Sequence, residues 1–436
     1  MSTGQGINSI PRNPWAWIPT LYFAEGIPYL IVMTIAAIMY KRLGLENDEI
    51  AFYTSWLYLP WVIKPLWSPV VDIFRTKRWW IVSMEFLIGL TLAGVALTIR
   101  APHFVQYTMA FFWLMAFSSA THDIAADGFY MISLDSNKQS LFVGIRSTFY
   151  RISMIAGQGL TLILAGTLEH SLGSEPIAWT YTMSAVAVVF TLIFAYHALF
   201  LPRVENDGRC SSVPHGTDTA QSFLCVFKDF FSKRGVWVAI VFMLLYRFPE
   251  ALLTKIAPLF LIDSASAGGM ELSTEAVGIA QGTVGVIGLT LGGILGGIAA
   301  SRGGLKRWLW PMVWAITLPD IIYVLLSIFL PSGIAVISIA IFIEQFGYGF
   351  GFTAYMLFML YFCQSAPKHG SGSETSHYAI CTGFMALSMM LPGMAAGYLQ
   401  QWLGYTFFFA LVMLCCLLTV AVASIVKIDP DFGKKQ

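Results

Sequence analysis

Asp72-Ile73-Phe74-Arg75-Thr76-Lys77-Arg78-Trp79 and Ser301-Arg302-Gly303-Gly304-Leu305-Lys306-Arg307-Trp308 both close on Lys-Arg-Trp, 229 residues apart. Each follows one long apolar run and opens another, so the chain reads as two related halves. A helix needs about 20 mostly apolar residues to span a bilayer. Working outward from the two loops, such stretches lie at 14–40, 49–71, 79–99, 104–133, 142–168 and 177–200. After a polar stretch come six more, at 235–262, 275–300, 307–330, 333–364, 373–399 and 402–427. The expectation is an all-α membrane protein of twelve transmembrane helices in two six-helix bundles, 1–200 and 235–436, joined by a linker at 201–234.

Composition agrees. Of 436 residues, 57% are apolar and 11% charged, against about 25% charged in a soluble domain. The 33 Phe, 18 Tyr and 14 Trp suit aromatic belts at the two interfaces. A formal net charge of +1 argues against nucleic acid as a partner. Cys210, Cys225, Cys363, Cys381, Cys415 and Cys416 show no metal-ligand or redox spacing and read as small buried hydrophobes. The first apolar stretch lacks a small-residue cleavage site and reads as a retained helix.

Lys and Arg set the orientation. With the N-terminus in the cytoplasm, 18 of the 25 basic residues fall on the cytoplasmic side and only Lys41, Arg42 and Arg100 on the other. One miscounted span would invert every later loop and destroy that bias. Both termini are therefore expected in the cytoplasm. Six helices, a basic linker and six more is the layout of a carrier made of two parallel repeats.

The spans carry charges that lipid alone would not tolerate. Each costs about 2.5–3.5 kcal/mol on insertion scales and normally faces a cavity or a partner. They are Glu25, Lys64, Glu85, Asp123, Asp127, Arg151, Arg247, Glu250, Lys255, Asp320 and Glu344. Asp123 and Asp127 are four apart and share a helix face. Two close carboxylates repel, which favours one proton between them, as a carrier loading and releasing protons requires. Glu25 sits between Tyr22 and Tyr29 at helical spacing, a stripe able to line a sugar-sized cavity. Arg247 and Glu250, three apart, are placed to pair. The plainer alternative for each is a structural salt bridge, for instance Lys64 or Arg151 with an acid on a neighbouring helix. The glycines between Gly282 and Gly297, with Gly347, Gly349 and Gly351, point to close helix packing.

These residues carry a resemblance. Tyr22-Phe23-Ala24-Glu25-Gly26-Ile27-Pro28 is similar to the first-helix signature of AmpG-type permeases, a branch of the major facilitator superfamily. Leu59-Pro60-Trp61-Val62-Ile63-Lys64-Pro65-Leu66-Trp67-Ser68-Pro69-Val70-Val71-Asp72 resembles the second helix of that family. Ala120-Thr121-His122-Asp123-Ile124-Ala125-Ala126-Asp127-Gly128 resembles its fourth-helix Gln-Asp-(three residues)-Asp motif, with His122 where Gln is usual. Leu245-Tyr246-Arg247-Phe248-Pro249-Glu250-Ala251 resembles a Tyr-Lys-x-x-Asp segment, with Arg for Lys and Glu for Asp. Glu344 with its glycines resembles the tenth helix. The two Lys-Arg-Trp loops resemble the superfamily's acidic-then-basic loop, which implies a gate at Asp72, Arg75 and Arg78; Ser301 replaces the acid in the second copy.

The resemblance implies a major facilitator fold and proton-driven import of anhydromuropeptides at a bacterial inner membrane. No cofactor is expected beyond the proton gradient, and no partner beyond the bilayer and a small amino-sugar or peptide solute. Asp123, Asp127 and Glu25 are the candidates for the proton. Tyr22, Tyr29, Lys64, Trp67, His122, Arg151, Arg247, Glu250 and Glu344 are the candidates for the solute. Related solutes, free N-acetylmuramic acid or another amino sugar and acetyl-CoA, are the alternatives. The spacing of Asp123 and Asp127 also matches the Mg²⁺-diphosphate motif of intramembrane prenyltransferases, but no second Asp-rich motif accompanies it.

Overall fold

Nothing in this sequence alternates with a period of two over any length, and long apolar runs punctuated by Gly and Pro fold as helices in lipid because helices satisfy their own backbone. The computed structural model describes residues 13–134, 136–204, 227–364, 374–429 and 432. Among them there is no strand. The helices before residue 204 are α1 (Pro14–Arg42), α2 (Asn47–Trp56), α3 (Leu59–Ile73), α4 (Lys77–Thr98), α5 (Phe104–Ser133), α6 (Ser136–Ile155), α7 (Thr161–Leu172) and α8 (Glu175–Phe200). Those after residue 227 are α9 (Val236–Ile262), α10 (Thr274–Gly303), α11 (Leu305–Phe329), α12 (Ile334–Gln364) and α13 (Glu374–Ile425). Among the described residues nine segments are long and apolar enough to cross a membrane. Most of the linker and the side chain of Asp72 lie outside the described residues.

Several helices are interrupted. The expected second span is two helices, α2 and α3, broken at Leu57–Tyr58 ahead of Pro60. Turns of π-helix interrupt α1 at Ile31–Ile35, join α6 to α7 at Ala156–Leu160, and open α10 at Gly278–Gly285. Such turns are rare and gather at functional sites. Gly404, with φ +71°, bends α13 sharply.

The first set of helices meets the second along two seams, α2 and α3 against α13, and α6 and α7 against α10. Backbones touch there: a Cβ on Gly282 would lie 2.7 Å from Gly159 Cα. Within the second set, Gly349 turns to α10, where a Cβ would sit 2.1 Å from Leu289 O, while Gly347 and Gly351 turn to α11.

A polar latch bridges the sets at the end of α1 and the bend of α13, away from both chain ends. Lys41 Nζ lies 3.0 Å from Asp263 Oδ2, which also accepts from Tyr405 Oη at 2.7 Å and Asn47 Nδ2 at 3.2 Å. Asn47 reaches Gln400 Oε1 as well, at 2.8 Å. Arg42 donates to Thr274 Oγ1 at 2.6 Å and Leu272 O at 2.8 Å, and Thr274 donates to Glu169 at 2.6 Å. Lys41 and Arg42, read from the sequence only as markers of one membrane face, thus hold that face shut.

Partial burial works against the charge on Asp263, yet the hydrogen bonds from Tyr405, Lys41 and Asn47 outweigh it and hold its carboxyl below the usual carboxylate range. A depressed pKa means that the contribution is present at neutral pH and is lost only as pH falls through the lowered value. Asp263→Asn should remove a charged hydrogen-bond set worth about 1.5–3 kcal/mol, a factor of about ten or more in opening. Labelling of a Ser55→Cys variant, cleared of native cysteines, by an impermeant maleimide from the latch side should accelerate accordingly. An unchanged rate would show that the latch does not control that face.

Candidate functional site

Four helices of the first set bring their buried charges to one place. Asp123 and Asp127 stand one turn apart on α5, as their spacing requires. Lys64 of α3 pairs with Asp123 Oδ2. Arg146 of α6 pairs with Asp127 Oδ1 at 2.9 Å, and Tyr22 Oη of α1 donates to the same oxygen at 3.3 Å. The Arg146 guanidinium also lies over the Tyr22 ring, 4.5 Å from its centre, and over Tyr130 at 5.2 Å. Glu25 of α1 stands in the same cluster, next to Asp123. The Glu25 Oε2 is buried without a partner.

The side chains of Lys64, Asp123, Arg146 and Asp127 are 18%, 23%, 30% and 37% exposed. Ionised groups with that much access to solvent line a wet cleft rather than a dry core. Three acids face two bases, so a single proton balances the set.

Other expected residues fall elsewhere. Tyr22 is buried beneath Arg146 rather than offering an open ring. Tyr29 stands edge-on to Trp61 at 5.3 Å, and Trp67 packs on Phe117 at 5.6 Å with its Nε1 buried and unpaired. Arg151 lies against the α10 backbone, 3.3 Å from where a Gly293 Cβ would be. Of the expected gate, Arg75 is exposed at φ +70° and stacks over Trp79 at 5.9 Å. Arg78 donates to Ala198 O at 2.6 Å and Leu201 O at 3.1 Å. It therefore caps the end of α8 within its own set.

His122 turns away from Asp123. Its Nε2 lies 3.2 Å from Glu85 Oε1, which His197 Nδ1 approaches at 2.6 Å, and His197 Nε2 is 2.9 Å from Thr20 Oγ1. All three ionisable groups are buried. Glu85 and His197 form a network that sequence reasoning did not single out as a site.

The second set holds its charges differently. Arg247 does not pair with Glu250. The helix breaks at Tyr246–Arg247 because Pro249 cannot donate to the preceding turn, and Arg247 occupies the cap. Its guanidinium donates to Tyr348 Oη and lies over Tyr348, Phe352 and Tyr355, at 5.6, 4.6 and 5.8 Å. Glu250, Asp320 and Glu344, from three helices, each place an oxygen within 4.8 Å of the others. Thr254 donates to Glu250 at 2.9 Å, Gln345 to Glu344 at 3.0 Å, and Cys416 Sγ to Asp320 at 3.4 Å. All three acids are buried, so shared protons or one cation must offset their charge.

The sequence profile described as Major Facilitator Superfamily matches residues 20–387. The chain belongs to that superfamily. It is a multi-pass membrane transporter and not an enzyme. Curated relatives include the Anhydromuropeptide permease of Escherichia coli (strain K12), 23% identical over 407 residues, 92% of this chain and 76% of that one. Another is the Putative transporter AmpG 4 of Rickettsia conorii, 26% identical over 409 residues, 91% of this chain and 92% of that one. Among solved structures, the fold is shared with a D-xylose-proton symporter at a TM-score of 0.66 and 12% identity, covering 97% of this chain and 99% of that one.

In this facilitator the Glu85 network is closed off from the cleft by burial. Glu85→Ala should strand two imidazoles and cost about 1–3 kcal/mol, lowering the thermal unfolding midpoint in detergent while leaving the pH dependence of transport unchanged. A displaced pH profile would place Glu85 in the coupling machinery instead.

Proposed function

We propose that the chain is a proton-coupled importer of cell-wall-derived anhydromuropeptides, seated in a bacterial inner membrane and working by alternating access. The observation that supports proton coupling is the solvent-reached cluster of three acids and two bases, which one proton brings to neutrality. Twelve crossings, two six-helix bundles at 1–200 and 235–436, a cytoplasmic linker at 201–234 and both termini in the cytoplasm complete the reading. On this topology the latch closes the outer face, and the cluster takes or gives its proton on the cytoplasmic side.

The name of the Escherichia coli relative, Anhydromuropeptide permease, supplies the solute class. The chain's own residues suit it: among the described residues Arg151 has no acid within ion-pair distance, and Arg forms paired hydrogen bonds to carboxylates. Tyr29, Trp61 and Trp67 offer rings for sugar faces. Arg247, Glu250 and Glu344 contribute from the other bundle, where Arg247 and Glu250 depart from the family pattern. Free amino sugars and acetyl-CoA remain the alternative solutes. The reading needs no cofactor and no protein partner.

In proteoliposomes the wild type should accumulate anhydromuropeptide when the latch-side compartment is acidified. Glu25→Gln and Asp123→Asn should keep exchange of labelled for unlabelled solute and lose accumulation at least tenfold, because exchange needs no net proton movement. Gradient-driven accumulation surviving in both variants would end the proton assignment. Counterflow by free amino sugar or acetyl-CoA but not by muropeptide would replace the solute.

A further inference from the structure

One buried lysine has no acid to answer it among the described residues. Lys255, on α9 just over one turn beyond Glu250, is 4% exposed. Its Nζ donates to Thr54 Oγ1 at 3.0 Å and lies 5.1 Å from the centre of the Tyr58 ring. Among the described residues no carboxylate lies within ion-pair distance of it. An ammonium has three N–H donors, and one hydroxyl and a ring face leave it far from neutralised. Beside it the Ser55 hydroxyl is buried with no hydrogen-bond partner. Both abut Gly393 of α13, where a Cβ would lie 2.6 Å from Ser55 Oγ and 3.2 Å from Lys255 Cγ.

The place matters as much as the chemistry. Thr54 and Ser55 are on α2, Tyr58 precedes α3, Lys255 is on α9 and Gly393 is on α13, so the group straddles the seam between the two sets of helices. Thr54 lies seven residues from Asn47, and Lys255 eight from Asp263. At about 1.5 Å per residue both stand roughly 10–12 Å beneath the latch. When the latch parts, α2 leaves α9 and α13, and this group is uncovered towards the compartment beyond.

We propose that Lys255, positioned by Thr54 and flanked by the Ser55 hydroxyl, is a carboxylate-binding subsite that receives the solute from the latch side and is sequestered when that face is shut. Thr54 accepts from Lys255 and donates its own proton to Ile50 O at 2.7 Å, so it positions the ammonium; the ammonium and the unpartnered Ser55 hydroxyl supply the charge and the donors that a carboxylate's oxygens accept. The subsite is separate from the other cations: Lys64 is already paired with Asp123, and Arg247 is held by three aromatic rings. It rests on the carrier reading above and adds a sidedness to it.

The test uses full-length protein in proteoliposomes, with anhydromuropeptide and the same compound amidated at its peptide carboxylates. Lys255→Met should raise the KM for the carboxylate form, added from the latch side, at least tenfold. It should leave the amidated form within about twofold, and half-saturation from the opposite side unchanged. Lys255→Arg should keep most of the affinity. Equal losses for both forms, an unchanged KM, or a displaced pH profile for both forms alike would overturn the proposal. Binding is read apart from transport by thermal unfolding in detergent with N-acetylalanine or its amide. Stabilisation by the acid alone, lost in Lys255→Met, is expected. Equal stabilisation by both, or none by the acid, would overturn it. A wild type that moves neither muropeptide form ends the muropeptide reading instead, and the unfolding experiment then decides the subsite by itself.

Discussion

The constraint that organises this molecule is charge neutrality inside a low-dielectric slab. An isolated carboxylate or ammonium in hydrocarbon is prohibitively costly, and a pair repays that cost only with good geometry. Lys64 with Asp123 and Arg146 with Asp127 meet it within the first set of helices, and each pair crosses between helices rather than along one. Those pairings fix how α3 and α6 dock on α5. They also leave Glu25 as the odd acid of the cluster. A cluster built to be neutral with one proton and charged without it has two electrostatic states, and a two-state element is what alternating access needs.

Movement needs a second property, seams that slide. Glycine supplies it where side chains would lock the helices: Gly159 and Gly282 let α6–α7 and α10 touch backbone to backbone, and α2 meets α13 across Gly393 and Gly397. Within the second set, by contrast, glycines knit α10, α11 and α12 together as one body. The latch of Lys41, Asn47, Asp263 and Tyr405 then closes one face through hydrogen bonds and one ion pair, contacts that break and reform at modest cost.

Much of this was legible in the sequence because it is local or periodic. The helices follow from hydropathy, and the shared face of Asp123 and Asp127 follows from four-residue spacing. What failed was pairing at a distance. Arg146 sits 19 residues from Asp127, near the end of a span, and reads there as one more basic residue of the cytoplasmic side. His122 looked like a neighbour of Asp123 in the cleft, yet adjacent residues on a helix point about 100° apart, and its partners Glu85 and His197 come from α4 and α8. Arg247 and Glu250 have ion-pair spacing only on an unbroken helix. Pro249 breaks it, and Tyr348, Phe352 and Tyr355, spaced four and three apart on α12, form the stripe that takes the guanidinium instead. That stripe was present in the sequence and readable as a helix face.

The two sets divide the work unevenly. Groups that exchange protons with water must be reachable by it, and the Asp127–Arg146 end of the first cluster is, while Glu250, Asp320 and Glu344 are sealed among aromatic and sulfur-bearing side chains. A buried acidic trio cannot follow bulk pH quickly. Of these two acidic groups, the first is the one placed to exchange protons with water. The second set brings Lys255, Asp263, Gln400 and Tyr405 to the seam, and the two loops that end in Lys-Arg-Trp differ as well, with Asp72 in one and Ser301 in the other.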